Sequence, residues 1–166
     1  SIWASSGPKI GGGHVSRCQV LKAALESYGC DVDFKPESQR DALTELLKAK
    51  TYDLLVLDDY SIDAVFEKHC RQWVGHIFCI DDLANRPHEC DLLLDPTPGR
   101  TPADYQNRVS RDCRLLLGPQ YALVAAAFAH YRPQSLRYHQ TRTLVEKIII
   151  SFGATDPDDW SSPCLE

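Results

Sequence analysis

Short apolar runs alternate with segments of helical spacing along most of the chain. The segment from Val15 to Tyr28, for example, repeats apolar residues every three or four positions, which is typical of a helix packed on one side. Strands that alternate with helices in this way usually pair in parallel. The pattern therefore predicts an α/β fold, a parallel sheet with helices on both faces. Its strands are predicted at residues 2–4, 30–34, 52–57, 75–80, 92–95, 115–118 and 147–152.

Local residue types predict where several helices begin and end. Gly29 is expected to end the first helix, since glycine readily adopts the left-handed conformation found there. Ser38 is a predicted cap of the second helix, and either Ser61 or Asp63 is a predicted cap of the third. A further stretch, residues 125–143, is expected to be helix plus linker.

A glycine-rich stretch lies between the first predicted strand and the first predicted helix. Gly11, Gly12 and Gly13 precede His14 there. Glycines let a ligand approach the main chain, and the free N–H groups of a first helical turn favour an anionic or polyhydroxylated ligand. The spacing is not that of a dinucleotide-binding loop, because no glycine stands three residues after Gly13. A plain loop with a histidine cap fits the same residues.

His14 lies in the first turn of that helix, where the positive end of the helix dipole disfavours a cationic imidazole. A neutral imidazole can accept a proton, so His14 is a candidate general base. Arg17 follows one turn later and shares the face of His14.

Polar residues also stand where predicted strands end, and parallel sheets bind their ligands at that edge. We therefore expect a common rim that includes Asn85 from the following loop. Each aspartate can instead cap the next helix or pair with a base, and Tyr60 can pack against a loop. The strand-end residues are His14, Asp58, Asp59, Tyr60, Asp81 and Asp82.

Composition narrows the possible functions. The 166-residue chain has a net charge of −5 and no basic cluster, which argues against a nucleic-acid surface. No apolar run approaches the roughly 20 residues that cross a bilayer, and the first residues do not resemble a signal peptide. Seven cysteines without a CxxC pair give neither zinc nor redox spacing, so we expect no metal and a reducing cytoplasm.

Two long motifs, residues 81–95 and 115–123, give the chain a specific resemblance. Together with residues 10–18, 104–105 and 151–157, they closely resemble the UDP-2,4-diacetamido-2,4,6-trideoxy-β-L-altropyranose hydrolases of pseudaminic acid biosynthesis. Relatives of that family act in spore-coat polysaccharide biosynthesis. The resemblance extends over almost the whole chain, and its motifs occur in order.

The resemblance implies the N-terminal half of a GT-B-type fold, which consists of two Rossmann-like domains around a cleft. Residues 1–145 would form the Rossmann-like sugar-binding and catalytic domain. Residues 146–164 would form a linker and the first strand of a missing C-terminal nucleotide-binding domain, and residues 165–166 would be left from a tag. The chain alone would be inactive, and its uncovered apolar surface would allow a homodimer.

The resemblance also implies a reaction, the release of UDP from a UDP-linked sugar by water, with inversion at the anomeric carbon. His14 matches the general base of the family, and Tyr60 matches a tyrosine at the sugar site. No cofactor is implied, because the diphosphate is already a stable leaving group. The remaining candidates for substrate binding are Gly12, Gly13, Arg17, Asp59, Asp82 and Asn85.

Three positions depart from the family pattern. Trp3 and Ser5 stand where the family has an arginine and an aspartate, and Ala125 stands where it has another arginine. The loss of a guanidinium removes a group that can form bidentate hydrogen bonds with phosphate or carboxylate. Two alternatives to hydrolysis therefore stay open, a GT-B-type glycosyltransferase of an amino sugar and a degenerate sugar-binding domain without turnover.

Overall fold

The computed structural model describes residues 1–7, 12–37, 39–145, 147–152, 156 and 159–165. Its strands are β1 Ile2–Ala4, β2 Phe34–Pro36, β3 Tyr52–Asp58, β4 Val74–Ile80, β5 Leu92–Asp95 and β6 Arg114–Leu117. Its α-helices are α1 Gly13–Ser27, α2 Arg40–Ala49, α3 Ala64–Cys70 and α4 Ala126–Thr141. Short 3-10 helices cover Pro102–Tyr105, Pro119–Tyr121 and Ser162–Cys164.

The six strands form one sheet in the order β2-β1-β3-β4-β5-β6, and each neighbouring pair is parallel. The α/β prediction is therefore confirmed, and the arrangement is Rossmann-like. From the strand β1, the chain first adds β2 on one side. It then adds β3, β4, β5 and β6 in succession on the other side. Such a reversal opens a crevice at the carboxyl ends of β1 and β3, where α/β sheets commonly bind ligands.

Alternate residues of the strands pack on opposite faces of the sheet, because successive side chains in a strand point to opposite sides. On one face, Val56, Ile80 and Leu94 pack with Cys18 and its neighbours in α1. The other face packs with α2 and α3. Its buried residues include Trp3, Leu55, Leu57, Ile77, Cys79, Leu93, Leu43, Leu47 and Cys70. Helices thus cover both faces, as predicted.

Two of the predicted helix boundaries are confirmed. Gly29 follows the end of α1 with φ +84°, a conformation that glycine adopts without steric cost. Asp63 caps α3 by accepting a hydrogen bond from the Phe66 N–H at 2.9 Å. The predicted cap Ser38 lies outside the described residues.

Two predicted strands differ from the structure. The second strand begins at Phe34 rather than at residue 30, because its pairing with the three-residue β1 starts at Ile2 opposite Phe34. Residues 147–152 form no strand, and the side chains of Ile148 and Ile149 are exposed. A strand must pair its N–H and C=O groups with a neighbour, and the described part of the chain provides none there.

Helix α4 confirms the predicted helix in residues 125–143, but it buries no residue. Phe128, Tyr131 and Tyr138 are exposed along it. The end of the described chain therefore presents apolar side chains that the sheet does not cover. Among the described residues, no helix combines the length and the apolar character needed to cross a membrane.

Candidate active site at the carboxyl edge of the sheet

The acids at the strand ends separate into two groups by the side they face. Asp58 follows Val56, and Asp82 follows Ile80, by two positions, so both carboxylates lie on the α1 side. On the other side of the sheet, Asp81 extends the row of β4 that packs with α2 and α3. The rim predicted from the sequence thus carries two polar clusters, and only one contains His14.

His14 and Asp58 form the centre of the first cluster. The His14 Nδ1 lies 2.6 Å from the Asp58 Oδ1, and the two side chains are 7% and 0% exposed. The Arg17 Nη2 also lies 3.2 Å from Nδ1, but it already donates to the Asp58 Oδ1 at the shorter distance of 2.5 Å. Because the carboxylate can only accept, we assign the proton to Nδ1, and Nε2 is left as the ring atom that can accept one. This base with a carboxylate behind it is a common arrangement for activating a nucleophile.

Arg17 joins the two carboxylates of the cluster. Its Nε donates to the Asp58 Oδ2 at 2.6 Å, its Nη2 donates to the Asp58 Oδ1 at 2.5 Å, and its Nη1 donates to the Asp82 Oδ2 at 2.8 Å. Burial would raise the pKa of Asp58, but the hydrogen bonds from Arg17 and His14 hold that pKa below its ordinary value. Asp58 therefore stays ionised as the partner of His14.

Tyr60 closes the cluster on its exposed side. Its hydroxyl donates to the Asp82 Oδ1 at 2.6 Å, and its ring packs edge-on against His14 with 4.7 Å between ring centroids. Burial and the hydrogen bond to Asp82 raise the pKa of Tyr60 to about 12. The phenol is therefore protonated at neutral pH, and 43% of the residue remains open to a ligand.

The glycines of the predicted site lie at the start of α1. Gly12 is the residue before the helix, and Gly13 is its first residue. A Cβ built on Gly13 would meet no described atom within 4 Å. The fold of the described residues therefore does not require glycine at this position, whereas a ligand close to the main chain would.

Two candidates lie outside the hydrogen-bonded cluster. Asp59 is buried, and its Oδ1 accepts from the Ser61 N–H at 2.8 Å, which shapes the turn after β3. Its Oδ2 has no hydrogen-bond partner within the described residues. Asn85 is exposed in the loop after β4. Of the predicted residues, the structure thus brings together His14, Arg17, Tyr60 and Asp82.

The position of Asp58 at the end of an apolar run predicts that it lies at the rim, but the predicted site residues do not include it. The pair Asp58-Asp59 gives no indication of which carboxylate faces α1. Asp58 lies two residues after Val56, so the two side chains face the same side of the sheet. This spacing identifies Asp58 as the aspartate near α1 only once Val56 is known to face α1.

The second cluster lies under α3 on the opposite side of the sheet. The His88 Nδ1 lies 2.8 Å from the Glu67 Oε1, and its Nε2 lies 3.6 Å from the Asp81 Oδ2. The Tyr105 hydroxyl lies 2.9 Å from Asp81 and 2.8 Å from Asp95. Burial would lower the pKa of His88, but Asp81 and Glu67 raise it to about 8.

A metal is not needed to explain this cluster. Potential ligand atoms of Glu67, Cys79 and His88 lie within 4.8 Å of one another. The Glu67 Oε1 already accepts from the Cys79 Sγ at 3.3 Å and from His88 at 2.8 Å, while its Oε2 accepts from the Glu89 N–H at 2.5 Å. Hydrogen bonds thus satisfy the buried carboxylate.

His88 gives a prediction for stability against pH. A folded-state pKa of about 8, above the ordinary value of 6.5, means that the folded state holds the proton more tightly. Protonated His88 therefore contributes about 2 kcal/mol to the free energy of unfolding. This contribution is complete below pH 6.5 and is lost as pH rises through 8. Urea unfolding at pH 6 and pH 9 measures it. The His88→Gln variant should lack this difference, and an equal loss in both proteins would contradict the assignment.

The comparison with known proteins agrees with the motifs. No protein-family model matches the chain. The chain is 30% identical, over 172 aligned positions, to the UDP-2,4-diacetamido-2,4,6-trideoxy-beta-L-altropyranose hydrolase of Campylobacter jejuni. The alignment includes 92% of this chain and 59% of the relative, so the chain spans about three fifths of the relative's length. The resemblance predicted from the sequence is thereby confirmed, and the chain is similar over nearly all of its length to part of a UDP-sugar hydrolase.

Proposed function

We propose that the full-length protein is a nucleotide-sugar hydrolase that releases UDP from a UDP-linked diacetamido-trideoxy sugar. The observation that carries this proposal is the His14–Asp58 pair, 2.6 Å apart at the carboxyl edge of the sheet. The activity for which the Campylobacter jejuni relative is named supports the substrate class. The same geometry supports water activation in particular, because it leaves a ring nitrogen that can accept a proton.

In the proposed reaction, the His14 Nε2 takes a proton from a water molecule as the water oxygen attacks the anomeric carbon. The bond between that carbon and the diphosphate oxygen breaks, and UDP leaves with the bonding electrons. Attack opposite to the leaving group inverts the anomeric carbon. Asp58 stabilises the imidazolium that forms, because the carboxylate faces the protonated Nδ1. The diphosphate is a stable leaving group, so the proposed reaction uses no metal.

Tyr60 and Asp82 are proposed to contact the sugar. Tyr60 is the most exposed member of the cluster, and the Asp82 side chain is 26% exposed beside it. Sugar hydroxyl and acetamido N–H groups are donors that a carboxylate can accept. Asp59, with a buried oxygen that lacks a described partner, and Asn85, exposed in the next loop, are proposed as further sugar contacts.

We place the nucleotide outside residues 1–145. Among the described residues of the cluster, the cation Arg17 already contacts two carboxylates and so is not free to bind the diphosphate. Residues 146–164 are proposed to lead into a second domain, whose strands would pair with the exposed apolar run at 148–150. Without that domain we expect no useful turnover, because positioning can supply about 7–11 kcal/mol of a barrier.

Incubation of the full-length protein with the UDP-sugar and no acceptor distinguishes the candidate functions. A hydrolase releases UDP and free sugar in equal amounts, and the first sugar product has the inverted anomeric configuration by NMR. A glycosyltransferase releases little of either without its acceptor. A binding domain gives heat in calorimetry without UDP release, which would overturn the hydrolase proposal.

Gly13 gives a prediction that separates ligand contact from folding. The Gly13→Ala variant should be at least as stable as the wild type, since alanine favours a helix by about 0.5–1 kcal/mol and its Cβ meets open space. If the sugar or phosphate lies against this amide, KM should rise roughly tenfold or more. Thermal melting and steady-state kinetics measure the two effects. Ser16→Ala, an exposed change in the same turn, is the control; an unchanged KM in Gly13→Ala would exclude close approach there.

A further inference from the structure

Arg86 belongs to the long motif at 81–95 but has no part in the chemistry proposed above. It lies in the loop after β4, and its side chain is 17% exposed. Its Nη1 donates to the Asp81 Oδ1 at 2.9 Å, which anchors the guanidinium to a buried carboxylate directly after β4. The rest of the guanidinium is directed at a different loop.

The other contacts of Arg86 are to the main chain around Tyr60. Its Nη2 donates to the Asp59 carbonyl at 3.3 Å, and its Nε donates to the Ile62 carbonyl at 3.2 Å. These carbonyls belong to the residue before Tyr60 and the residue two after it. The Arg86 guanidinium carbon is also 5.9 Å from the centroid of the Tyr60 ring. One side chain therefore holds the turn that carries Tyr60 from both sides.

This pattern of contacts requires the planar guanidinium. Three different nitrogen atoms of Arg86 reach one carboxylate and two carbonyls in fixed directions. A lysine could keep the ion pair with Asp81, but its single ammonium group cannot span all three acceptors. A lysine substitution can therefore separate the effect of the positive charge from the effect of the three hydrogen bonds.

We propose that Arg86 is a positioning residue that fixes the turn at 59–62 and so keeps Tyr60 against His14 and Asp82. Tyr60 lies 4.7 Å from the His14 ring and 2.6 Å from Asp82, so a movement of its turn changes the shape of the site beside the base. The kinetic consequence rests on the proposed hydrolase function, whereas the position of the Tyr60 ring does not.

In the full-length enzyme, Arg86→Lys is expected to lower kcat for UDP release about 10- to 100-fold, the effect of a misplacement of about 1 Å. KM should change less, because the variant keeps the sugar-binding side chains. Arg111→Lys, the same change at an exposed position, should leave both constants unchanged. Arg86→Gln, which keeps two donors without the charge, repeats the measurement if the lysine variant melts early.

Dependence on Tyr60 is tested by a double-mutant cycle. If Arg86 acts through Tyr60, Arg86→Lys should lower kcat less than about threefold when Tyr60 is already alanine, since coupled residues are not additive. An equal fall in kcat in the wild-type and Tyr60→Ala backgrounds would show that Arg86 does not act through Tyr60 and would overturn the proposal.

A readout that needs no activity is ¹⁹F NMR of fluorotyrosine-labelled protein, with the Tyr60 resonance assigned by its absence in Tyr60→Phe. Arg86→Lys should shift or split this resonance, and Arg111→Lys should not. An unchanged Tyr60 resonance in Arg86→Lys contradicts the positioning role. A wild-type protein that releases no UDP contradicts the hydrolase proposal instead, while the resonance still decides the role of Arg86.

Discussion

Replacing His14 by asparagine in the full-length protein is expected to lower the rate constant for UDP release about 100- to 10,000-fold, the usual contribution of a general base. Asparagine retains a donor for Asp58 but has no ring nitrogen that can take a proton from water. Because the substitution removes a step of the chemistry, single-turnover UDP release under saturating substrate should show the full loss.

The matched control is His69→Asn, since His69 is an exposed histidine at the end of α3. That variant should release UDP at the wild-type rate. Near wild-type release by His14→Asn, from a protein that melts like the wild type, would remove His14 from the role of base.

Asp58→Asn is expected to give a loss of similar size, about 100- to 10,000-fold in kcat, although the Asp58 side chain is fully buried next to His14. A carboxamide can present its N–H groups to the His14 Nδ1, which favours the ring form with the proton on Nε2. That form cannot accept a proton from water. Since Asp58 is fully buried with Arg17 paired to it, we also expect the free energy of unfolding to fall by about 3 kcal/mol.

Single-turnover kinetics and urea unfolding of Asp58→Asn measure the two effects separately. Asp91→Asn is the control, because Asp91 also pairs with an arginine, Arg71, but at the other end of the strands. In the His14→Asn background, Asp58→Asn should reduce the rate little further. A large additional loss there would mean that Asp58 acts independently of His14.

The sheet could be predicted from the sequence because its strands are continuous apolar runs bounded by polar residues. Residues 55–57 and 77–80 are buried on both faces of the sheet, so their composition alone separates them from the helices. The polar rim could also be predicted, because polar residues follow the predicted ends of several strands. The predicted strand at 147–152 has the same apolar composition but is not formed, because a strand also needs a neighbour to pair with.

The composition of the cluster could not be predicted in full, for a related reason. A strand buried on both faces shows no alternation of apolar and polar residues, so the sequence does not indicate which aspartate of each pair faces α1. Asp58 and Asp82 share a cluster with His14, whereas Asp81 serves the other side of the sheet and the Asp59 Oδ1 accepts from the Ser61 N–H within the turn. The contacts of Arg86 are to main-chain carbonyls, and such contacts have no residue-type pattern to detect.

The protonation of the His14 ring in the full-length protein tests the central claim most directly. Long-range ¹H–¹⁵N NMR at neutral or slightly alkaline pH, with His14 assigned by its absence in His14→Asn, reports which ring nitrogen carries the proton. We expect the proton on Nδ1, facing Asp58, and an unprotonated Nε2 toward the substrate. A proton on Nε2 with a bare Nδ1 would contradict the account, because the ring would then have no free acceptor for the attacking water.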